Sequence, residues 1–362
     1  MKIATMNSVS GREGRLARYL VECLQKLGAQ VSVDASSVKT GSDTGNIIAR
    51  FPGSVDGAPV VLLGAHLDTV GPTEGMVPVI REGIIYSNGE TVLGADDKAG
   101  IAIILAALAQ LKTHKLPHGE LEIIFTVQEE VGLVGAKNLT ADLKADFGYI
   151  LDGDGPVGTI INQAPSQTNL DLIVEGKAAH AGLCPEQGIN AIVAASTAIS
   201  RLRSGRIDEE TTSNFGVIKG GKARNIVAER VEITAEVRSR NEKKMEREVE
   251  NIIAEFNKTV AEFGARLEAK TEIAYRAFNI PASHPAVAAA LAAARTLGVP
   301  ADLRATGGGL DANILNCRGL PCVALGIGVE EPHSSQEHIP VSQLEAGVDY
   351  IVAILKEVAI KF

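Results

Sequence analysis

The sequence predicts an α/β fold: a doubly wound, mostly parallel sheet domain with a smaller α+β domain of ferredoxin-like pattern inserted into it. Three observations predict it. Short, largely apolar runs alternate with helical periodicities in the first and last parts of the chain, as buried parallel strands and their crossover helices do. Between residues 164 and 276 the apolar residues instead alternate with polar ones, as half-exposed strands require. The elements of that middle part follow the order β-α-β-β-α-β, the split βαβ motif.

Taken in order, Ser10 and Glu13 have the spacing of a capping box in front of a first helix. Leu16, Leu20, Cys23 and Leu27 form its apolar stripe, and Gly28 closes it. Strands follow at 46–51, 60–65, 121–127, 147–151 and 322–327, with helices at 98–111 and 285–297. The run IAIILAALAQL in the first of these two helices is too short to cross a bilayer and reads as a buried helix. In the insert, Leu170, Leu172 and Val174 mark one face of a strand, and Ile189, Ile192, Val193, Ile199 and Leu202 one side of a helix. Two paired strands follow at 213–219 and 225–239, separated by Gly220 and Gly221. In the second, Val231, Ile233, Ala235 and Val237 face one way. Met245, Val249, Ile252, Phe256, Val260 and Phe263 give a long amphipathic helix ended by Gly264, and a last strand spans 267–275. The expected boundaries are 1–163 with 277–362 for the larger domain and 164–276 for the insert.

The 362 residues suffice for two domains, and 45% hydrophobic content supports a full core. A net charge of −9 argues against nucleic acid as a partner, and there is no basic patch for a membrane surface. Part of that charge fits a carboxylate cluster that a cation neutralises. Cys23, Cys184, Cys317 and Cys322 are scattered, so neither a disulfide framework nor a thiolate zinc site is expected. They read as reduced thiols of a cytoplasmic protein. MKIATMNSVSGREG has no apolar core and is not read as a signal peptide.

Chemistry gathers at the ends of elements. His66 closes the strand of VVLLGAHLDTV, with Asp68 two residues on, and a metal-binding histidine needs a partner to hold its other ring nitrogen. Asp96 opens a helix in LGADDKAG, Glu129 and Glu130 follow one strand, Asp152 follows another, and His333 lies in EPHSSQEHIP after a third. Each has an ordinary explanation. A Glu-Glu pair is usually a solvated turn, Asp96 suits a helix N-cap, Asp152 suits a turn, and His333 suits a surface loop. Together they would converge on one rim of a doubly wound sheet, where ligands of such sheets bind. Two histidines and three carboxylates without cysteine suit zinc, cobalt or manganese. The count fits two ions about 3.5–4 Å apart with one shared aspartate, leaving one glutamate over as a general base. In LDGDG, Asp154 competes with Asp152, and the place directly after the strand favours Asp152. The loop Gly307, Gly308 and Gly309 lacks a following Gly-Lys-Ser/Thr, so it is not a P-loop. It is a tight turn or a close approach to substrate. His180, in GKAAHAG, reads on its own as structural.

HLDTV, LGADDKAG, QEEVG, LDG and EPHSSQEHIP resemble the signature blocks of the aminoacylase/carboxypeptidase superfamily of di-zinc metallopeptidases, nearest its peptidase T-like branch. The resemblance spans nearly the whole chain. It implies two zinc ions, with cobalt or manganese as alternatives. His66 and Asp152 then bind one ion, Glu130 and His333 the other, and Asp96 bridges them. Asp68 orients His66, Asp97 follows as a non-ligand across a cis peptide, and Glu129 is the general base. The insert becomes a lid that often forms a homodimer. Its His180 reaches a metal site, in its own subunit or a partner's, to stabilise the oxyanion. Asn225, Arg238, Gly308 and Gly309 become substrate contacts, and Arg238 falls on the polar face of its strand. His338 stands where an aromatic residue is usual and competes with His333. The expected activity is that of a cytoplasmic aminopeptidase on short peptides, tripeptides first. An N-acyl-amino-acid deacylase or a carboxypeptidase is the alternative. A non-catalytic scaffold is the reading from another class, and the complete set of ligands with Glu129 counts against it.

Overall fold

A computed structural model describes residues 1–361. The chain forms two compact units, one of residues 1–163, 279–306 and 310 onward, the other of residues 164–278 with 307–309.

The first unit is built on a mixed sheet. Its four central strands lie in the order Leu121–Thr126, Val61–His66, Phe147–Gly153 and Cys322–Gly326, all parallel. Antiparallel neighbours extend it on both sides: Ile47–Phe51 and Gln30–Val33 beyond the first, Thr159–Ala164 beyond the last. A parallel run of four strands thus occupies the centre, where both faces are covered and the strands are buried almost throughout. Alternate side chains such as Leu63, Ile123, Tyr149 and Leu325 share one core with residues of the helices Gly14–Leu27, Ala95–His114, Pro285–Leu297 and Val341–Lys361. Two buried tyrosines keep their hydroxyls satisfied there. Tyr149 donates to the Ala286 carbonyl at 2.8 Å and Tyr350 to that of Ala290 at 3.0 Å, as buried phenols need.

Parallel strands end on the same rim, and register sets which residues meet there. His66 pairs with Thr126, so the residues after Thr126 emerge beside it. Gly64 pairs with Ile150, and two residues further on stand His66 and Asp152. Ala95–His114 starts at the same rim because Gly100 allows it: a Cβ there would sit 2.2 Å from the Leu151 carbonyl oxygen.

Some elements differ from expectation. Ser10 and Glu13 do not form a capping box. The Ser10 hydroxyl donates to Asp68, and the Glu13 carboxylate accepts from the Gly11 and Gln128 amides. The helix Val341–Lys361, the strand Thr159–Ala164 and a small sheet of Val79–Arg81, Ile84–Tyr86 and His338–Pro340 add to the elements expected.

The second unit is an antiparallel sheet in the order Gly205–Arg206, Thr211–Gly220, Arg230–Ser239, Ser166–Glu175, Arg266–Tyr275. Leu170, Leu172, Val174, Val231, Ile233 and Val237 are buried with Ala194, Ile252, Phe256 and Val260 from the helices Ala191–Arg201 and Glu242–Glu262. Asn190 and Asn241 cap those helices, each side chain accepting from amides of the first turn. The strand read as 225–239 begins only at Arg230. Among the described residues, no helix is long and apolar enough to cross a membrane.

Candidate metal centre

Asp96 joins two groups of ligand-type side chains. Its Oδ1 lies 3.0 Å from His66 Nε2, and its Oδ2 lies 3.2 Å from His333 Nε2. Asp152 Oδ1 completes the first group, 3.8 Å from His66 Nε2, and Glu130 Oε1 the second, 3.0 Å from His333 Nε2. Within each group the donor atoms all lie within 4.8 Å of one another. Asp154 and His338 belong to neither group; the His338 ring stacks on Tyr86. Two imidazoles and three carboxylates, with one carboxylate offering an oxygen to each group, form the donor set that a pair of borderline divalent cations takes. The residues therefore fit two ions.

The His66 ring is fixed by backbone. Its Nδ1 donates to the Asp68 carbonyl oxygen at 2.9 Å, which turns Nε2 toward Asp96 and Asp152. The Asp68 carboxylate stands farther off, 3.5 Å from Nδ1. Its closer partners are the Glu129 amide at 2.8 Å, the Ser10 hydroxyl at 2.7 Å and the Glu130 amide at 3.2 Å. Asp68 thus positions the two glutamates as well as the histidine.

Charge is crowded without a cation. Burial, then the charges of Asp311, Glu130 and Asp96, push the Glu129 carboxyl well above its usual range, against the opposing effect of His66. Burial and the carboxylates of Asp96, Glu129 and Asp97 do the same to Asp152. Burial disfavours the charged form of Asp96, but hydrogen bonds from His333 and His66 outweigh it and hold that carboxyl low. Those bonds are reciprocal: Asp96 and Glu130 raise His333 to about 10. His66 is also raised, since Asp68, Asp96 and Asp152 overcome its burial.

Several further buried charged groups support the site, and of these only Asp97 was expected beside it. Glu337 accepts from the amides of Gly94 at 2.7 Å and Asp96 at 2.9 Å. Lys98 donates to the Met6 carbonyl at 2.8 Å. Asp97, joined to Asp96 by a cis peptide, accepts from the His66 and Gly100 amides, both at 3.1 Å. Asp311 accepts from the Thr126 hydroxyl, and its other carboxyl oxygen is buried without a partner. Asp311 directly follows the glycine loop and Leu310, and Glu337 lies within SSQEHIP, so proximity to a motif is the available signal.

The second unit brings other expected residues together. His180 bridges to Ile226, and the Ala181 amide donates to the Asn225 carbonyl at 3.0 Å. The amides of Gly182 and Leu183 both donate to His180 Nδ1, which puts the ring proton on Nε2. Arg238 makes paired hydrogen bonds to Glu236 at 2.9 and 3.0 Å and reaches the Gly307 carbonyl at 3.4 Å. Gly309 packs so tightly on Tyr275 that a Cβ would overlap its ring.

A mixed α/β sheet carrying two adjoining carboxylate-histidine sites at the ends of its parallel strands, with a separate α+β unit inserted, defines a metal-dependent peptidase of the two-cation kind. Residues 62–357 match the peptidase family M20/M25/M40, and the chain belongs to that family, on its peptidase T-like branch. It is similar to the crystal structure of aminopeptidase PepT from Bacillus cereus, with 40% identity, 99% of this chain and 96% of that one covered, and a TM-score of 0.92. A tripeptidase structure from Staphylococcus aureus is 37% identical over 99% of this chain and 96% of its own, with a TM-score of 0.96. Peptidase T of Escherichia coli K12 is 28% identical over 393 residues, 97% of this chain and 93% of that protein.

Proposed function

We propose that this chain is a di-zinc aminopeptidase that removes the N-terminal residue of short peptides, tripeptides first. The observation that carries the reading is the sharing of Asp96 between two ligand groups in a chain 40% and 37% identical to structures described as an aminopeptidase and a tripeptidase. His66 and Asp152 would hold one ion, Glu130 and His333 the other, and Asp96 both. When bound, the ions would polarise the scissile carbonyl and lower the pKa of water. Glu129 is buried among carboxylates and belongs to neither ligand group, which suits a general base. It takes a proton from the attacking water and returns it to the leaving amine. Asp68 fixes the amide of Glu129, so the base is held before substrate arrives.

For the second unit we propose the lid role. His180 would donate from Nε2 to the developing oxyanion, and Asn225, Arg238, Gly308 and Gly309 would contact the peptide. The family resemblance supports these roles, as does the juxtaposition of His180 with Asn225. We further propose a homodimer formed through this unit, and a cytoplasmic location consistent with four free cysteines.

Three substrates test the activity: a tripeptide, its N-acetyl form and its C-terminal amide, each with the zinc-loaded chain. The reading expects cleavage of the first and third and rejection of the second. Cleavage of the acetylated peptide identifies a deacylase or a carboxypeptidase instead. Light scattering of the purified chain tests the dimer.

A further inference from the structure

Before residue 62, where the family match begins, lies a segment that touches three motifs of the rim, HLDTV, LGADDKAG and QEEVG. Lys98 donates to the Met6 carbonyl, and the Thr73 hydroxyl to Asn7 at 2.7 Å. The Thr69 amide donates to the Ser8 carbonyl at 3.1 Å, and Ser10 donates to Asp68. The strongest link is Glu13. It is fully buried, and its carboxylate spans two segments: Oε1 accepts from the Gly11 amide at 2.9 Å and the Gln128 amide at 3.1 Å, and Oε2 accepts from the Ser42 hydroxyl at 2.6 Å.

Gln128 is the residue this bond has to hold. Its φ is 51°, in the left-handed region that side-chain-bearing residues seldom occupy. That turn directs the chain after the strand Leu121–Thr126 into Glu129 and Glu130. Their amides are held in turn by Asp68, so three successive amides, those of 128, 129 and 130, are tied to two buried carboxylates. A general base works only if its carboxylate stays within a fraction of an ångström of its place, and a shift of about 1 Å costs on the order of a hundredfold in rate.

We propose that Glu13 is a positioning residue for Glu129, and that residues 6–13 act as a brace fixing the left-handed turn that carries the base. The proposal rests on the assignment of Glu129 as base. The bond asks for an acceptor, not a charge. In Glu13→Gln the side-chain carbonyl can still accept from the Gly11 and Gln128 amides, while its NH2 donates to Ser42. In Glu13→Ala both amides lose their acceptor.

The test uses the whole chain. Hydrogen exchange of the metal-free protein, resolved at residues 128–130, should be at least about tenfold faster in Glu13→Ala, with the strand Leu121–Thr126 unchanged. In the zinc-loaded protein, kcat on a tripeptide should fall by about 30- to 100-fold with KM within about twofold. Glu13→Gln should bring both readouts to within about threefold of the parent. Glu13→Asp, which withdraws the acceptor by one methylene and leaves a smaller void, is read in place of the alanine variant if that one does not fold, with the same direction expected.

Unchanged exchange at 128–130 overturns the proposal. So does a loss of kcat that Glu13→Gln fails to restore. The exchange measurement needs neither substrate nor cation, so it separates the two ideas. Fast exchange at 128–130 in a chain whose parent cleaves no peptide supports the brace and sinks the aminopeptidase reading. Unchanged exchange with an active parent sinks the brace alone.

Discussion

Asp68→Ala distinguishes two accounts of how this rim is held. If Asp68 only steadied the imidazole, its carboxylate would contribute one contact at 3.5 Å, worth well under about 1 kcal/mol. The structure gives it three closer donors instead: the Glu129 and Glu130 amides and the Ser10 hydroxyl. Removing the acceptor leaves the buried Glu129 amide and the part-buried Glu130 amide unpaired, at about 1–3 kcal/mol for a fully buried one. Ser10 is partly exposed and can turn to water. Relief of repulsion with Asp311 and Glu13 offsets part of the loss, so about 3 kcal/mol is expected. Asp68→Asn keeps one acceptor oxygen and should lose about half as much. Urea unfolding of the metal-free protein followed by tyrosine fluorescence suits the measurement. The chain has no tryptophan, and of its five tyrosines only Tyr275 lies outside the first unit. A loss below about 1 kcal/mol for Asp68→Ala would refute the claim that Asp68 anchors the glutamate turn.

The remaining expectations concern the cations, the pH response and the second unit. Asp96→Asn should weaken both ions together by about a hundredfold or more in a zinc titration; retention of one tight ion would show that Asp96 is not shared. Glu129→Gln should keep two ions by metal analysis and lose at least about a thousandfold in kcat, whereas Glu130→Gln should lose one ion. In the metal-stripped protein His333 should titrate near 10 by NMR, and a midpoint near 6.5 would contradict its pairing with Asp96 and Glu130. Because that pKa is raised on folding, its contribution to stability is full below about pH 6.5 and fades as pH rises through about 10. With the side chain 53% exposed, screening keeps it to about 1 kcal/mol. Phe256→Ala, emptying a fully buried site beside Phe215, should cost about 3–5 kcal/mol. Protease cuts should then appear within residues 164–278 while the tyrosine signal of the first unit stays put.

Much of the site was legible because its residues sit at the ends of short apolar runs, where a strand and the chemical group at its tip are visible together in the sequence. His66, Glu129, Glu130 and Asp152 all occupy such places. The supporting carboxylates were not legible, because a buried charge looks like a solvated one until its partner is known. Glu337 meets Gly94 across 243 residues, and Asp311 meets Thr126 across 185. Glu13 shows the same limit in reverse. Its local spacing with Ser10 suits a capping box, yet distant partners took both side chains. Val341–Lys361 escaped notice because its buried residues, among them Val348, Tyr350, Ile351, Val352, Ile354 and Leu355, cover too wide an arc for a clean periodicity. Thr159–Ala164 lacks the apolar run of its neighbours, since Asn162 and Gln163 interrupt it.

The roles proposed for the adjacent glutamates need little backbone to divide them. One carboxylate, Asp68, holds both amides, so Glu129 and Glu130 leave the strand end from a common anchor. Glu130 reaches His333 and enters the second ligand group, while Glu129 enters neither. The two side chains then meet different fields. Glu130 faces the His333 imidazole at 3.0 Å, the residue that shares its ligand group. Glu129 is buried among Asp311, Glu130 and Asp96, which favours holding a proton. In the proposed roles, ligand and base leave the same turn of chain, and Glu129 is the one surrounded by like charges. The proposed brace would keep this division in register: Glu13 accepts from the amide of the left-handed residue 128, and Asp68 from those of 129 and 130. A slip of one residue that moved Glu129 into the proposed ligand place would put Gln128, which cannot take up the proton, in the place proposed for the base.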